Sequence, residues 1–368
     1  MRIQVVVSND LVTDQRVIKM CHSLFEWGHE IYLTGRFLPG SPPLPHWSFK
    51  AKRMRLLFIR GPLFYTELNI RLFFRLLFLP TDIIHANDLD VLLPCYLVSK
   101  IRKKKLIYDT HEYFTGVPEL QKRPLIRGVW KRIERFIFPK LNYIITVNDS
   151  IAGLYEKEYS KKIQVVRNIP TLNVIQENNL TRKDLAIPED KFIIIMQGNG
   201  INVHRGAEEA AEMMNYLNDC FLIIAGSGDV IPNLKEFVLN HSLQDRILFL
   251  PRMPYDQLMK YTQLCDLGLS LDKDSNINYQ YSLPNKIFDY LLAGIPVMAS
   301  DLIEVRKVIE QTGGGFIVKD LTPEKLAEEI MKFKNDRGKI EKIRLSIANI
   351  KINFSWEKEV EPIKNWYR

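Results

Sequence analysis

Short apolar runs alternate along this chain with stretches whose apolar positions recur at helical spacing, a pattern that predicts strands and helices in turn. In the first half the predicted strands are Ile3 to Val7, Glu30 to Leu33, Asp82 to His85, Lys105 to Tyr108, Tyr143 to Val147 and Ile163 to Val166. From Asn168-Ile-Pro170 to Pro188-Glu-Asp the chain turns polar and loses its period, which predicts a linker over 171–190. A second alternating unit follows, with strands at Phe192 to Met196, Phe221 to Ala225, Ile247 to Leu250, Leu267 to Leu271, Pro296 to Ala299 and Phe316 to Val318. Two α/β domains, each a doubly wound parallel sheet, are therefore expected over 1–170 and 191–354. The length of 368 residues suits two cores of that size.

Ligands of open parallel sheets bind beyond the carboxyl ends of the strands, so the loops there are where chemistry is expected. The richest is Tyr281-Ser-Leu-Pro-Asn-Lys-Ile-Phe-Asp-Tyr-Leu-Leu-Ala-Gly-Ile-Pro-Val297. Pro284 is expected at the first helical position, where its missing N–H costs nothing. The amides around Ser282, Leu283 and Asn285 are then left to face an anion such as a diphosphate. Asp289, one turn beyond Asn285, is placed to accept hydrogen bonds from vicinal sugar hydroxyls, and Gly294 with Pro296 ends the helix. Gln197-Gly198-Asn199-Gly200-Ile-Asn-Val-His-Arg205-Gly206 is a glycine-rich loop after a strand. It reads either as a phosphate loop with Arg205 on the anion or as a plain loop with a solvated arginine. Gly226-Ser-Gly228 is a lone turn motif, and Gly313-Gly-Gly315 reads as a helix-to-strand turn.

In the first domain, Tyr108-Asp109-Thr110-His111-Glu112 puts polar side chains at the functional end of a strand. His111 is either a catalytic imidazole, able when neutral to hydrogen-bond a hydroxyl, or a satisfied structural histidine. Asp109 and Glu112 are placed to orient it or to take a proton from a hydroxyl. The glycine-free loop Ser8-Asn-Asp10-Leu-Val-Thr-Asp14-Gln-Arg16 offers Asp10, Asp14 and Arg16 to a second substrate. Asp14 equally suits the cap of a helix running through Val17, Met20, Cys21 and Leu24. Asp88-Leu-Asp90 and Asp272-Lys-Asp274 have a spacing that arises readily by chance.

Together these motifs resemble the donor-binding signature of the retaining family 4 glycosyltransferases, the glycosyl transferases group 1. The family pattern is Glu, seven residues, Glu, then a small residue followed by Gly-x-Pro-Val. Here Tyr281 stands at the first Glu and Asp289 at the second. In the family's basic pair, Arg205 matches the Lys while Asn199 replaces the Arg. The resemblance covers nearly the whole chain and implies the GT-B fold, two Rossmann-like domains facing a central cleft. The closing segment 355–368 is then a helix that packs back on the first domain.

What the resemblance implies chemically is a metal-independent, retaining transfer of a hexosyl unit from a nucleoside diphosphate sugar to an acceptor hydroxyl, with no cofactor. Gly198, Asn199, Arg205, Ser282, Leu283, Asn285, Lys286 and Asp289 would bind the donor. His111, with Asp109 and Glu112, would serve the transferring sugar. Asp10, Asp14, Arg16 and Asp88 would meet a glycan or lipid-linked acceptor in the building of a cell-surface polysaccharide or glycolipid. A nucleotide-sugar epimerase of the same fold and a catalytically impaired sugar-nucleotide-binding protein are the rival readings.

Charge sharpens the picture on the acceptor side. Residues 1–170 hold 27 Lys and Arg against 15 Asp and Glu, whereas the remainder holds 24 against 28. A basic first half attracts anionic surfaces. No nucleic-acid motif accompanies it, so nucleic acid is not expected as a partner. The stretch Arg53 to Leu79, with Arg71 and Arg75 on one helical face, reads either as an interfacial membrane helix or as a core helix with snorkelling arginines. No apolar run is long enough to span a bilayer and the amino terminus reads as a strand, which predicts a cytoplasmic protein, peripheral on the inner face of the membrane. The four cysteines lie apart in apolar contexts and are expected as buried free thiols, with neither a zinc site nor a disulfide framework.

Overall fold

The computed structural model describes residues 1–171, 179–350 and 354–368. Of the expected linker, 172–178 lies outside the described residues, as does 351–353. The chain divides into two compact units. One comprises Met1–Asn168, Asn276–Asn278 and Trp356–Arg368, the other Ile169–Ser275 and Tyr279–Ser355.

The first unit is a seven-stranded parallel sheet built from β1 (Arg2–Val6), β2 (Glu30–Arg36), β3 (Lys50–Met54), β4 (Ile83–Asn87), β5 (Lys105–Thr110), β6 (Ile144–Thr146) and β7 (Gln164–Val165). The strand order is β3-β2-β1-β4-β5-β6-β7, so the direction of winding reverses between β1 and β4. The loops after those two strands diverge there and leave a crevice at their carboxyl ends. β3 carries no sequence signal, because Lys50 and Lys52 alternate with Ala51 on an edge strand. Charge on an edge blocks pairing with another chain.

Ile3, Val5 and Val7 on alternate positions join Ile31, Leu33 and Ile107 in one core. The helix Gln15–Glu26 supplies Val17, Met20, Cys21 and Leu24 to it, at a spacing that puts all four on one face. The closing segment, helical over Trp356–Val360 and 3₁₀ over Glu361–Tyr367, completes the core with Trp356, Val360, Ile363 and Tyr367. The Trp356 indole N–H donates to the Ser23 hydroxyl at 2.9 Å, so this aromatic is both buried and satisfied. The helices Gly61–Phe78, Leu89–Ile101 and Pro124–Ile137 pack on one another beside the sheet.

The second unit has six parallel strands, β8 (Phe192–Gly198), β9 (Cys220–Gly226), β10 (Ile247–Leu250), β11 (Leu267–Ser270), β12 (Val297–Ser300) and β13 (Gly315–Val318). They run in the order β10-β9-β8-β11-β12-β13, reversing between β8 and β11. Most of β8, β9, β11 and β12 is buried, as befits strands covered on both faces. The latter part of the expected linker is docked on this unit. Arg182 pairs with Asp266 at 2.8 Å and donates to the carbonyls of Leu264 and Lys191. Gly313 ends a helix with φ of +60° and β13 follows directly, the turn read from the sequence.

All four cysteines are buried free thiols, two in each unit. No helix among the described residues is long and apolar enough to cross a membrane.

Candidate functional site

At the β8/β11 reversal, the glycine-rich loop is shaped by close backbone approach. A Cβ on Gly226 would lie 1.9 Å from the Gly198 carbonyl oxygen, and one on Gly228 would lie 1.9 Å from that of Ile201. The lone Gly226-Ser-Gly228 motif therefore has a reason: without side chains the loop after β9 abuts the loop after β8, where the Ile201 N–H donates to the Ser227 carbonyl and the Ser227 N–H to the Gly198 carbonyl. Gly206, at φ +79°, lets the chain turn against Leu271 where any Cβ would clash.

That turn delivers Arg205 to the end of β11. Its Nη1 meets Asp272 Oδ1 at 2.5 Å and its guanidinium lies 4.3 Å from the centre of the Tyr279 ring. Lys286 Nζ lies 3.2 Å from the other Asp272 oxygen. Asp272 is fully buried. Burial pushes its carboxyl up, but Lys286 and Arg205 outweigh that and hold it below the usual carboxylate range. Burial likewise opposes the Arg205 charge, and Asp272 more than compensates. One carboxylate thus gathers two cations, and Arg205 Nε remains without a partner.

Lys286 is the second residue of the helix Asn285–Ala293. Pro284 proves to be the residue before the first turn, with ψ of 133°, one place earlier than expected. The leading amides of a helix lack intrahelical acceptors, so those of Asn285 and Lys286 suit an anion. The Ser282 amide does not share that part, because it donates to the Tyr279 carbonyl at 3.0 Å. Leu283 precedes the cap, and Asn199 is exposed in the loop beyond Gly198, the last residue of β8.

One turn beyond Asn285, Asp289 is 8% exposed and held at both oxygens. The Tyr255 hydroxyl donates to Oδ1 at 2.5 Å and Gln197 Nε2 to Oδ2 at 3.0 Å. Gln197 is in turn fixed by the Thr262 hydroxyl at 2.8 Å. The carboxylate is thereby held in a fixed orientation. Tyr255, Gln197, Thr262 and Asp272 were not identified from sequence. Their common signal is a polar residue at the end of an apolar strand or in a helix facing one.

At the β1/β4 reversal, Asp88 takes φ of +65° and turns its carboxylate on His111. Asp88 Oδ1 accepts the His111 backbone N–H at 2.9 Å, and Oδ2 lies 3.3 Å from Nδ1. His111 Nε2 lies 3.8 Å from Asp109 Oδ2. Burial disfavours the charged imidazole, yet Asp88 and Asp109 outweigh it and raise the pKa above the ordinary histidine value. The ring therefore keeps its proton to higher pH than an ordinary histidine. With a side chain 18% exposed it is neither sealed in the core nor loosely solvated.

Asp109 is fully buried. Burial pushes it up, while the Arg16 guanidinium grips both its oxygens at 3.0 and 2.9 Å and brings it below its ordinary value. Both of its oxygens are held by Arg16, and it approaches His111 only at ion-pair distance, 3.8 Å. Arg16, also engaged by the Val166 carbonyl at 2.7 Å, is 3% exposed and lies behind the site, not among acceptor contacts as expected. Asp10 is likewise enclosed, at 4% exposure, by Arg53, Ser41 and the Val12 amide. Asp14 accepts the Val17 amide at 3.2 Å and caps its helix. Glu112 is exposed, and its carbonyl accepts the hydroxyls of Thr110 and Tyr155. Among the described residues no group of three or more His, Cys, Asp or Glu is arranged to hold a metal.

The Arg53–Leu79 stretch resolves into β3, a loop and the helix Gly61–Phe78, which buries Phe64, Leu68, Leu72 and Leu76. Arg71 pairs with Glu67 at 2.7 Å and donates to the Arg55 carbonyl, while Arg75 donates to the Thr34 hydroxyl. Both arginines are thus tied into the unit and do not form a free basic face.

The family model described as Glycosyltransferase Family 4 matches residues 14–169, and that described as Glycosyl transferases group 1 matches residues 177–349. No curated protein matches the chain. Among solved structures, a glycosyltransferase from Rickettsia africae is similar over 100% of this chain and 97% of its own, at 18% identity and a TM-score of 0.77. Sucrose-phosphate synthase from Thermosynechococcus elongatus is similar over 100% and 98%, at 15% identity and 0.78. The Anabaena protein HepE, solved with UDP and glucose, is similar over 100% and 99%, at 16% identity and 0.76. At such identities the structures speak for the fold, which is GT-B, and the two family matches, which between them take in most of the chain, place it in the family 4, group 1 glycosyltransferases.

Proposed function

We propose that the chain transfers a sugar, with retention, from a nucleoside diphosphate sugar to an acceptor hydroxyl in making a cell-surface glycan. The observation that carries this is the convergence of Arg205 and Lys286 on buried Asp272 beside the start of the helix Asn285–Ala293. Two cations fixed by one carboxylate, next to helix amides, suit a diphosphate better than any neutral group. Charge accumulates on that diphosphate as the glycosidic bond breaks, so the same groups stabilise the transition state. They also supply positive charge without calling on a metal. Asp289, oriented by Tyr255 and Gln197, holds the ribose, and His111 contacts the transferring sugar. HepE was solved with UDP-glucose, which makes UDP a sensible first probe here.

Arg205→Ala should weaken UDP binding by about 1.5–3 kcal/mol, the value of a charge-assisted hydrogen bond, and leave uridine binding nearly unchanged. Calorimetric titration of both ligands decides this. Equal losses for UDP and uridine would place Arg205 away from the phosphates.

A second element of the reading, attachment to an anionic membrane, is favoured by the helix Pro124–Ile137. Leu125, Val129 and Phe136 are 87, 57 and 54% exposed, and Arg123, Arg132 and Arg135 are exposed among them. The nearby helix Gly61–Phe78 leaves Ile70 and Phe74 more than half exposed, and its Tyr65 packs edge-on against Trp130. Apolar side chains interleaved with arginine suit a headgroup layer. Each such arginine is worth about 1 kcal/mol near an anionic surface. Vesicles containing phosphatidylglycerol should bind the protein at low salt, releasing it as salt rises, and phosphatidylcholine vesicles should not. Arg132→Gln with Arg135→Gln should weaken binding, whereas Arg71→Gln should not. Indifference of the wild type to anionic vesicles would remove the membrane from the reading.

A further inference from the structure

Arginines are abundant around the carboxyl ends of β1, β2 and β3, and several are neutralised by carboxylates. Arg53 is paired with Asp10 at 2.9 Å, Arg71 with Glu67 at 2.7 Å, and Arg16 with Asp109. Arg36, the last residue of β2, differs. Its backbone amide is fixed by the Asn9 carbonyl at 3.1 Å. Its guanidinium lies 4.3 Å from the centre of the Phe64 ring, with one long bond of 3.4 Å from Nη1 to the Ile59 carbonyl. Its Nε is buried without a partner, and among the described residues no carboxylate lies within ion-pair distance of it. Asp10, the carboxylate of the adjoining loop, is already engaged by Arg53, Ser41 and the Val12 amide.

The complementary defect lies nearby. Asp90, at the start of the helix Leu89–Ile101, is 7% exposed, and its Oδ1 is buried without a partner. Burial and the neighbouring Asp88 push its carboxyl up to about 7, and it feels both Arg36 and His111. An Arg36 nitrogen lacking an acceptor and an Asp90 oxygen lacking a donor, with Ser8 hydrogen-bonded to the same carboxyl, thus flank the β1/β4 reversal, where a ligand of this sheet is expected. They do not satisfy each other, since no ion pair joins them. Unpaired polar groups that are buried mark places where something else completes the bonding.

We infer that Arg36 and Asp90 form an acceptor subsite that takes an anionic oxygen group, phosphate or carboxylate, on Arg36 and a hydroxyl of the same molecule on Asp90. The inference rests on the transferase reading and adds the class of acceptor: a hydroxylated compound bearing its own negative charge. Arg36 supplies the cation, fixed over the Phe64 ring, and a guanidinium fork suits planar or tetrahedral oxyanions. Asp90 receives the hydroxyl proton in a hydrogen bond on the side toward His111.

The test is a titration of the full chain held saturated with UDP, so that Arg205 and Lys286 are occupied. Glucose 6-phosphate and glucuronate are the phosphate and carboxylate probes, glucose the neutral control, and inorganic phosphate the control for an anion without a hydroxyl. The Arg36 Nε–H resonance is the readout. At least one anionic sugar should bind ten-fold or more tighter than glucose and shift that resonance, and the preferred arm identifies the anion. Arg36→Gln should reduce its affinity to that of glucose, Arg36→Lys should retain part of it, and Asp90→Asn should weaken the sugar probe but not inorganic phosphate. UDP affinity should be unchanged in all three variants. Anionic sugars that bind no better than glucose, or as well to Arg36→Gln as to wild type, overturn the inference while leaving the donor site intact. If UDP itself does not bind, the transferase reading fails, and the same titration on Arg205→Gln, with the second anion site removed, still decides whether Arg36 selects an oxyanion.

Discussion

Replacing Arg16 by methionine is expected to lower the stability of the first unit by about 3–5 kcal/mol, the usual cost of leaving one member of a buried ion pair alone. Asp109 would lose both of its short contacts and remain fully buried. The nearest remaining cations are the imidazoles of His111 and His85, at 3.8 and 3.9 Å and charged only when protonated. His85 is a poor substitute, because burial depresses its pKa to about 4 and its Nδ1 already meets the Tyr367 hydroxyl. Hydrogen exchange of the β1 and β5 amides during urea titration would read the loss in this unit without confusion from the other. The double variant Arg16→Met with Asp109→Leu should recover most of it, since replacing both charges removes the uncompensated one. A single-variant cost below about 1 kcal/mol would mean that water reaches Asp109 and that the pair is not structural.

His111→Ala should reduce turnover by about 10²- to 10³-fold, within the range for removing a group positioned on the reacting centre. Its effect on stability should depend on pH in a definite sense. The folded pKa of His111 lies above its unfolded value, because Asp88 and Asp109 outweigh burial. The bound proton therefore stabilises the fold fully below the unfolded value, and that contribution is lost as pH rises through the folded one. Thermal midpoints of wild type and His111→Gln should coincide at alkaline pH, with the variant falling behind on acidification. A constant gap in stability across the whole range, with activity lost in proportion, would assign His111 a packing role.

Strands were legible because most are near-continuous apolar runs between polar turns. β3 was not, since an edge strand of lysine and alanine has no apolar period to detect. The donor side was readable where chemistry is local in sequence, as in Arg205-Gly206 and the helix bearing Lys286 and Asp289. It was unreadable where the partners lie far apart. Nothing near Asp272 indicates that it gathers Arg205 and Lys286, and Tyr255 meets Asp289 only because their helices pack together. Misassignments fell on charged residues beside the first strand. Asp10 and Arg16 have the composition of a binding loop, but burial decides their use, and burial depends on Asp109, Arg53 and Val166, remote in sequence, whereas Asp14 takes the helix-capping role its position equally suited. The two readings of the arginines on Gly61–Phe78 could not be separated in sequence for the same reason, their partners being Glu67, Arg55 and Thr34.

The four buried thiols give the molecule its own unfolding clock. Cys21 lies in the core closed by Trp356 and Tyr367, Cys95 in the helix Leu89–Ile101, Cys220 on β9, and Cys265 just ahead of β11. Burial raises every one of them, Cys220 to about 12 and the other three further, so at neutral pH scarcely any thiolate is present to react. An alkylating reagent must wait for local opening, and its rate at each position then measures how often that piece of structure comes apart. With two cysteines per unit, a timed pulse followed by peptide mass spectrometry would resolve which unit yields first. Within the first unit it would also show whether Cys21 is exposed by release of the terminal segment, well before Cys95.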